Sequence, residues 1–283
     1  MNHTNKSPVR IKMSKYNSSI IIAFYNKIDF LKLVFSGLER QTERQFEVII
    51  ADDGSNNKAV AALKGLIEEA SFDCQHIAHE DNGWRKNIIL NKAIRASQSE
   101  YLIFMDADCI PHRGFINEHI INKEQGKILA GRRANLSAAL TKKLTPELVR
   151  SGKLEKRVIP LMLSSLMGEI RHAEKSIYIR SPYLRNKILK KTPKLKGCNF
   201  SMHKSDILKL NGFDERYLAP ACGEDTDLEL RARNLGIGLK NVNHMAVQYH
   251  LHHKLLDRPA ENLEILLDNK NSNATYTAYG INQ

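Results

Sequence analysis

The sequence predicts an α/β fold, a mostly parallel central sheet with helices on both faces, from three observations. Apolar strand-like runs alternate with amphipathic segments from Ser18 to Ala130. The chain has 283 residues, enough to bury a large core. Its 42% apolar and 26% charged residues are the balance of a soluble globular protein. The longest apolar runs, Ile20 to Tyr25 and Val158 to Leu163, fall far short of the ~20 residues of a membrane-spanning helix.

The elements follow in order. Ser18 to Phe24 is a β-rich apolar run, and Ile28 to Leu38 repeats apolar residues at helical spacing through Phe30, Leu31, Val34, Phe35 and Leu38. Strands are expected again at Phe46–Ala51, Cys74–Ala78, Tyr101–Met105 and Lys127–Ala130, with helices at Asn56–Ala70 and Trp84–Ala96. Beyond these, Val158–Ile170 reads as an amphipathic surface helix, Gly197–Met202 as a strand, Asp225–Asn234 as a helix and Val242–Val247 as a last strand. The polar segment from Asp268 onward is expected to fray.

Met1 to Tyr16 is polar and basic and has no apolar signal core, so a cytosolic location is expected. Cys74, Cys109, Cys198 and Cys222 form no CxxC pair and are read as reduced packing residues. Between Thr141 and Phe200 fifteen basic residues face four acidic ones, which accounts for eleven of the chain's net charge of +12. That concentration suits an anionic partner, whether nucleic acid, a phospholipid surface or a phosphorylated substrate. No helix-turn-helix, RNP or zinc-finger pattern accompanies it, so no nucleic-acid partner is expected.

In parallel sheets ligands gather at the carboxyl ends of strands. The residues there are Tyr25 and Asn26, Asp52 to Ser55, and Asp106 to Asp108. Carboxylates gathered at the tip of an apolar strand repel unless a cation compensates them, so Asp106-Ala107-Asp108 suggests a divalent metal. An N-cap and turn for the following helix is the other reading of Asp52-Asp53-Gly54-Ser55. Three histidines in four residues, His250, His252 and His253, follow the last expected strand and offer imidazole ligands.

Four segments carry a resemblance: SIIIAFYNKIDFLKLVFSGLERQTERQFEVIIADDGSNN, GWRKNIILNKAI, EYLIFMDADCIPHRGF, and GCNFSMHKSDILKLNGFDERY followed by GEDTDLELRARNLG. Together they resemble inverting nucleotide-sugar glycosyltransferases of family 2, with the GT-A fold and a galactosyltransferase-like C-terminal half. The resemblance runs from about Ser18 to His253. It implies one catalytic domain over 17–255, with a donor-binding half at 17–135, a basic insertion at 141–196 and an acceptor half at 197–255. Residues 1–16 and 256–283 are then polar tails.

The resemblance also implies roles. Ala23 and Tyr25 line the nucleotide base, Asp53 accepts from its imide N–H, and Arg85 lies near the base or diphosphate. Asp106 reaches the ribose or the metal shell, Asp108 binds Mn2+ or Mg2+, and His250 is the best-matched third ligand, with His252 or His253 as substitutes. Asp225 is the general base, Glu224 holds hydroxyls, and Asn199 is a hydrogen-bonding candidate for the donor sugar. One departure concerns the acceptor: a Trp-Gly-Gly common in relatives is replaced by Ala219-Pro220-Ala221-Cys222-Gly223.

The expected activity is metal-dependent transfer of a hexose or N-acetylhexosamine from a UDP-sugar to a glycan or lipid-linked oligosaccharide in bacterial surface polysaccharide synthesis. The basic segment would then dock on anionic lipid at the inner face of the cell membrane. The alternatives are a sugar nucleotidyltransferase, disfavoured because AFYNKID has no glycine-rich phosphate loop, and a basic nucleic-acid or membrane-surface binding protein.

Overall fold

A computed structural model describes residues 14–156, 170–220, 223–254 and 261–282. In chain order the first half contains β1 (Ser18–Phe24), α1 (Ile28–Leu38), β2 (Phe46–Asp52), α2 (Asn57–Glu68), β3 (Asp73–Ala78), α3 (Lys86–Ala96), β4 (Tyr101–Asp106), β5 (Cys109–Pro111), α4 (Phe115–Asn122), β6 (Lys127–Ala130) and β7 (Ala134–Leu136). Then come α5 (Ala138–Lys142), α6 (Pro146–Arg150), α7 (Lys153–Lys156), β8 (Ile170–Arg171), α8 (Pro182–Ile188), β9 (Asn199–His203), α9 (Lys204–Lys209), α10 (Glu224–Asn234), β10 (Gly238–Asn241), β11 (Gln248–His250) and α11 (Glu261–Asn271).

Seven strands form the main sheet in the order β10-β6-β9-β4-β1-β2-β3. β3, β2, β1 and β4 are mutually parallel, and β9 runs antiparallel to both β4 and β6. β1, β2 and β4 are buried at nearly every position because both faces are covered. Ile20, Ile22 and Phe24 of β1 pack with Leu31, Val34, Phe35 and Leu38 of α1. Ile21 packs on the other face with Ile89, Leu90 and Ala93 of α3. The expected strands and helices of the first 130 residues therefore stand within one or two residues of where periodicity put them.

A second sheet, in the order β5-β11-β7-β8, is built from strands of two or three residues. It corrects one expectation. Val242–Val247 is not a strand but a turn between β10 and β11, in which Met245 and Ala246 N–H donate to Val242 O. Val242, Met245, Ala246 and Val247 are all buried, so the apolar run marks a turn inside the core.

The C-terminal segment departs further. In place of a frayed tail, α11 spans Glu261–Asn271 and the chain after it docks on the 211–215 loop. Asn211 Nδ2 donates to Thr277 O, Ile281 N–H donates to Asn211 O, and Thr277 Oγ1 donates to Asp214 Oδ2. Thr277 and Ile281 are buried. Polar side chains here satisfy buried backbone groups, a use that composition alone does not distinguish from disorder. Of the expected amphipathic helix at Val158–Ile170, all but Ile170 lies outside the described residues.

α10 is fixed by an ion pair with almost no water contact: Arg231 is 0% exposed and Asp227 1%. Arg231 Nε donates to Asp227 Oδ2 at 2.8 Å, while its Nη1 donates to Leu210 O and Gly212 O. Asn269 Nδ2, from α11, donates to Asp227 Oδ1. Removing one member of such a pair leaves an uncompensated buried charge. Arg231→Met is therefore expected to lower stability by about 3–5 kcal/mol, read as a shift of the urea unfolding midpoint; a shift near zero would contradict this anchoring role.

Candidate active site

Parallel register brings the tips of β1, β2 and β4 to one edge. Phe24 pairs with Asp52 and Ala23 with Asp106. Two backbone bonds extend the pairing past the strands: Asp53 N–H donates to Phe24 O and Ala107 N–H to Ala23 O. Asp52, Asp53, Asp106 and Asp108 thus share a rim, and each carboxylate is compensated differently.

At the β2 tip, Asp52 is fully buried, with Oδ2 2.9 Å from His76 Nε2 and Oδ1 accepting from Ser55 N–H. Burial alone would raise its pKa, but His76 and Ser55 hold it below the ordinary aspartate value. Asp53 Oδ1 lies 2.8 Å from His79 Nε2, and its Oδ2 accepts from Arg85 N–H at 3.0 Å. Here burial prevails, and the pKa is raised. Gly54, at φ 88°, is needed because a Cβ would fall 2.6 Å from Asp81 N. Tyr25 is 49% exposed and donates from its hydroxyl to Asp81 Oδ2. The expected base-side residues Tyr25, Asp53 and Arg85 are therefore neighbours, although Arg85 contributes its backbone N–H while its Nε turns to Asn82 O.

At the β4 tip the two aspartates diverge. Asp106 Oδ1 accepts from Lys86 Nζ at 3.0 Å, and Oδ2 lies 3.7 Å from Arg133 Nη1. Asp108 Oδ2 lies 2.9 Å from His253 Nε2 and 3.5 Å from His250 Nε2, and the two imidazole nitrogens are 3.2 Å apart. β11 produces this convergence. It pairs antiparallel with β5 so that His250 stands opposite Cys109, and Leu251 N–H then donates to Asp108 O. His252 is exposed, with its N–H on Thr141 Oγ1, so His253 and not His252 joins His250.

One oxygen and two nitrogens within 4.8 Å of one another form a donor set that a divalent cation can use. Burial opposes the charge on Asp108, yet His250, His253 and Arg133 hold its pKa well below the carboxylate range, so the oxygen is available. Asp106, expected to share the metal, faces Lys86 and Arg133.

Opposite this rim stands the N-terminus of α10. Asp225 Oδ2 accepts from Gly197 N–H at 2.7 Å, and any Cβ at residue 197 would collide with the Asp225 carboxylate. Glu229 Oε2 accepts from Leu195 N–H, so two carboxylates of one helix hold the 195–197 loop. Ala23, Lys86, Asp106, Gly197, Glu224 and Asp225 line one small cleft. Burial raises both the Glu224 and Asp225 pKa values; Asp225 raises Glu224 further, while Lys86 pulls both down.

Asn199 does not face this cleft. It is fully buried, and its Nδ2 donates to Arg132 O and Ala246 O, so it ties β9 to two neighbouring segments. Sequence reasoning also passed over Lys86, Arg133, His76 and His79. Lys86 is the central omission. Burial opposes its charge, but Asp106, Asp225 and Glu224 raise its pKa. Only the phase of α3, which starts at Lys86, separates its cation from that of Arg85.

Residues 19–195 match the sequence profile described as Glycosyl transferase family 2, and residues 184–254 match that of the N-terminal domain of galactosyltransferase. A chondroitin synthase of Escherichia coli is 24% identical over 242 residues, which is 82% of this chain and 34% of that protein. A Pasteurella multocida chondroitin synthase is 25% identical over 36% of this chain and 10% of its own length, so the chain spans about a third of one of these relatives and a tenth of the other. Among solved structures, a mannosyltransferase of Pyrobaculum calidifontis in complex with GDP-Man and Mn2+ superposes with a TM-score of 0.56 at 15% identity, covering 90% of this chain and 69% of that one. GalNAc-T7 with UDP, GalNAc and Mn2+ gives 0.57 at 15% identity, covering 86% and 45%. These likenesses establish the GT-A fold.

The raised pair at α10 has a consequence for stability. Its native pKa values lie above the unfolded ones of about 3.9 and 4.3, so the native state holds protons more tightly and loses stability as pH rises through that window. Glu224→Gln removes one member of the repelling pair. The variant should unfold about 2–4 °C higher at pH 8, the response to on the order of 1 kcal/mol, with the gain vanishing below pH ~4. An equal gain at both pH values, followed by calorimetry, would contradict charge repulsion as the cause.

Proposed function

Because the chain belongs to glycosyl transferase family 2, we propose that this glycosyltransferase moves a hexose or N-acetylhexosamine from a UDP-sugar to a hydroxyl of a growing glycan, with inversion and a divalent cation. One observation carries the reading: a donor cluster able to hold a cation, Asp108, His250 and His253, and a raised carboxylate pair at Glu224 and Asp225 border the same strand-end rim. The two solved neighbours, one in complex with GDP-Man and the other with UDP and GalNAc, support a nucleotide-sugar donor. The relatives named chondroitin synthase support a glycan acceptor, as surface polysaccharide assembly requires.

In this reading Tyr25, Asp53 and the Arg85 N–H receive the base, with Ala23 leaving room beside it. The Asp225 carboxylate takes the proton of the acceptor hydroxyl as that oxygen bonds to the anomeric carbon, and the bond to the nucleoside diphosphate breaks on the opposite side. A base whose pKa is raised by burial suits this transfer better than an ordinary aspartate. Glu224 accepts from sugar hydroxyls, and Lys86 keeps the acidic rim from repelling the donor diphosphate. Asp108, His250 and His253 would hold the cation. Bound there, it would offset the charge that grows on the departing diphosphate. Two imidazoles beside one carboxylate favour Mn2+ over Mg2+, which prefers oxygen ligands.

The basic segment adds a location. α8 exposes Tyr183 (65%), Leu184 (46%) and Ile188 (51%), and the exposed Lys187, Lys190, Lys191 and Lys194 lie in and just after it. Apolar tips within a lysine field suit the surface of an anionic bilayer, where a lipid-linked acceptor at the cytoplasmic face of the membrane would be met. Nucleic acid offers no apolar phase for Leu184 and Ile188.

Calorimetric titration of UDP, with GDP in parallel, is expected to show binding only with Mn2+ present. Asp108→Asn should abolish that binding, whereas Asp225→Asn should keep it and lower kcat by about 10²–10⁴. UDP binding indifferent to both Mn2+ and Asp108, or undiminished turnover in Asp225→Asn, sinks the reading. For the membrane, Leu184→Ser with Ile188→Ser should reduce co-sedimentation with phosphatidylglycerol vesicles at all salt concentrations, while Lys187, Lys190 and Lys191→Gln should reduce it mainly at low salt. Retention of both variants on vesicles would remove α8 from the membrane contact.

A further inference from the structure

Two cysteines stand where two sides of the rim meet, and the glycosyl transfer just described uses neither. Cys109 is 0% exposed and Cys198 5%, and their Sγ atoms and an Asp106 carboxylate oxygen lie within 4.8 Å of one another. Both are free thiols. Their surroundings are not those of packing cysteines: the Cys109 thiol donates to Asp108 Oδ1 at 3.3 Å, and Arg133 Nη1 approaches Cys109 Sγ at 3.8 Å. Cys74, by contrast, has no second thiol grouped with it among the described residues, and burial pushes its pKa up to about 12.

We propose that Cys109 and Cys198 are an oxidisable thiol pair, closed to a disulfide by hydrogen peroxide. The two residues are far apart in sequence but adjacent to different parts of the rim. Cys109 follows Asp108 on β5, and Cys198 follows Gly197, whose N–H holds Asp225. A bond between them fastens the turn that carries Asp108 to the loop that carries the Asp225 contact. A soft cation on the same atoms is the competing use. It is disfavoured because the third ligand, Asp106, is already engaged by Lys86 and Arg133, which such a cation would have to displace.

The chemistry balances with one peroxide. Cys198, on the more exposed side, attacks a peroxide oxygen; the O–O bond breaks, giving a sulfenic acid and one water. The Cys109 sulfur then displaces the hydroxyl from Cys198 as a second water, forming the S–S bond. The two thiols lose two protons and two electrons, which reduce the peroxide to two waters.

The test uses the whole purified chain and hydrogen peroxide, followed by alkylation under denaturing conditions and peptide mapping. The expected product is a Cys109–Cys198 linked peptide, lighter than the reduced pair by two hydrogens, with Cys74 still alkylated and dithiothreitol restoring both thiols. Full alkylation of Cys109 and Cys198 after peroxide overturns the proposal, as does separate oxidation of each to a sulfinic acid or linkage to Cys74 or Cys222. Turnover of a UDP-sugar gives a second readout. The wild type should lose most of it reversibly, whereas Cys198→Ser should keep its own pre-treatment rate. If the reduced protein turns over no UDP-sugar, the proposed function fails while the mapping still decides the disulfide.

Discussion

Crowding of negative charge at one edge of a sheet is the constraint around which this protein is arranged. Asp52, Asp53, Asp106, Asp108, Glu224 and Asp225 all stand where the parallel strands end or where α10 begins. Two unit charges 4 Å apart interact by about 4 kcal/mol at the effective dielectric of a protein surface, so an uncompensated rim of this kind would oppose folding. The compensation is unequal. Asp52 has His76, Asp53 has His79 and the Arg85 N–H, Asp106 has Lys86 and Arg133, and Asp108 has two histidines. Glu224 and Asp225 share Lys86 with Asp106 and have the weakest relief. The same inequality sorts the carboxylates chemically. Asp52 and Asp108 are held low and stay charged, whereas burial holds Glu224 and Asp225 above the ordinary carboxylate range.

Lys86 is a cation shared between these two populations. It opens α3, whose apolar face is locked against β1 and β2 through Ile89, Leu90 and Ala93. The position of its ammonium is therefore set by core packing and not by a flexible loop. The C-terminal segment does a similar service for α10 through Asn269 and the Asp227–Arg231 pair. A rim that repels itself is thus held together from behind by buried, hydrogen-bonded supports.

How much of this was legible in the sequence depends on element length. β1, β2 and β4 are buried runs of six or seven residues, β3 is a half-exposed edge strand of six, and the helices between them are amphipathic, so periodicity located them. The second sheet was not legible, because strands of two or three residues have no period to read. For the site, Asp106 and Asp108 stood out as acids at a strand end and Glu224 and Asp225 through the resemblance, and the structure brings them to one rim. What escaped were side chains whose role depends on tertiary register. Lys86 differs from Arg85 only by helix phase, His253 from His252 only by the path after β11, and Asn199 looked like a cleft residue until its amide was found bonded to two buried carbonyls.

β11 is three residues long, yet its alignment decides whether the cluster at Asp108 exists. Its pairing puts His250 opposite Cys109; a slip of one residue would present Tyr249 or Leu251 there and turn His250 to the other face. Short strands hold their alignment weakly by hydrogen bonds alone. Anything that engages Asp108, His250 and His253 together selects one alignment of the smaller sheet against its neighbours, so affinity for that occupant and the ordering of β5, β7 and β11 are two readings of one linked equilibrium.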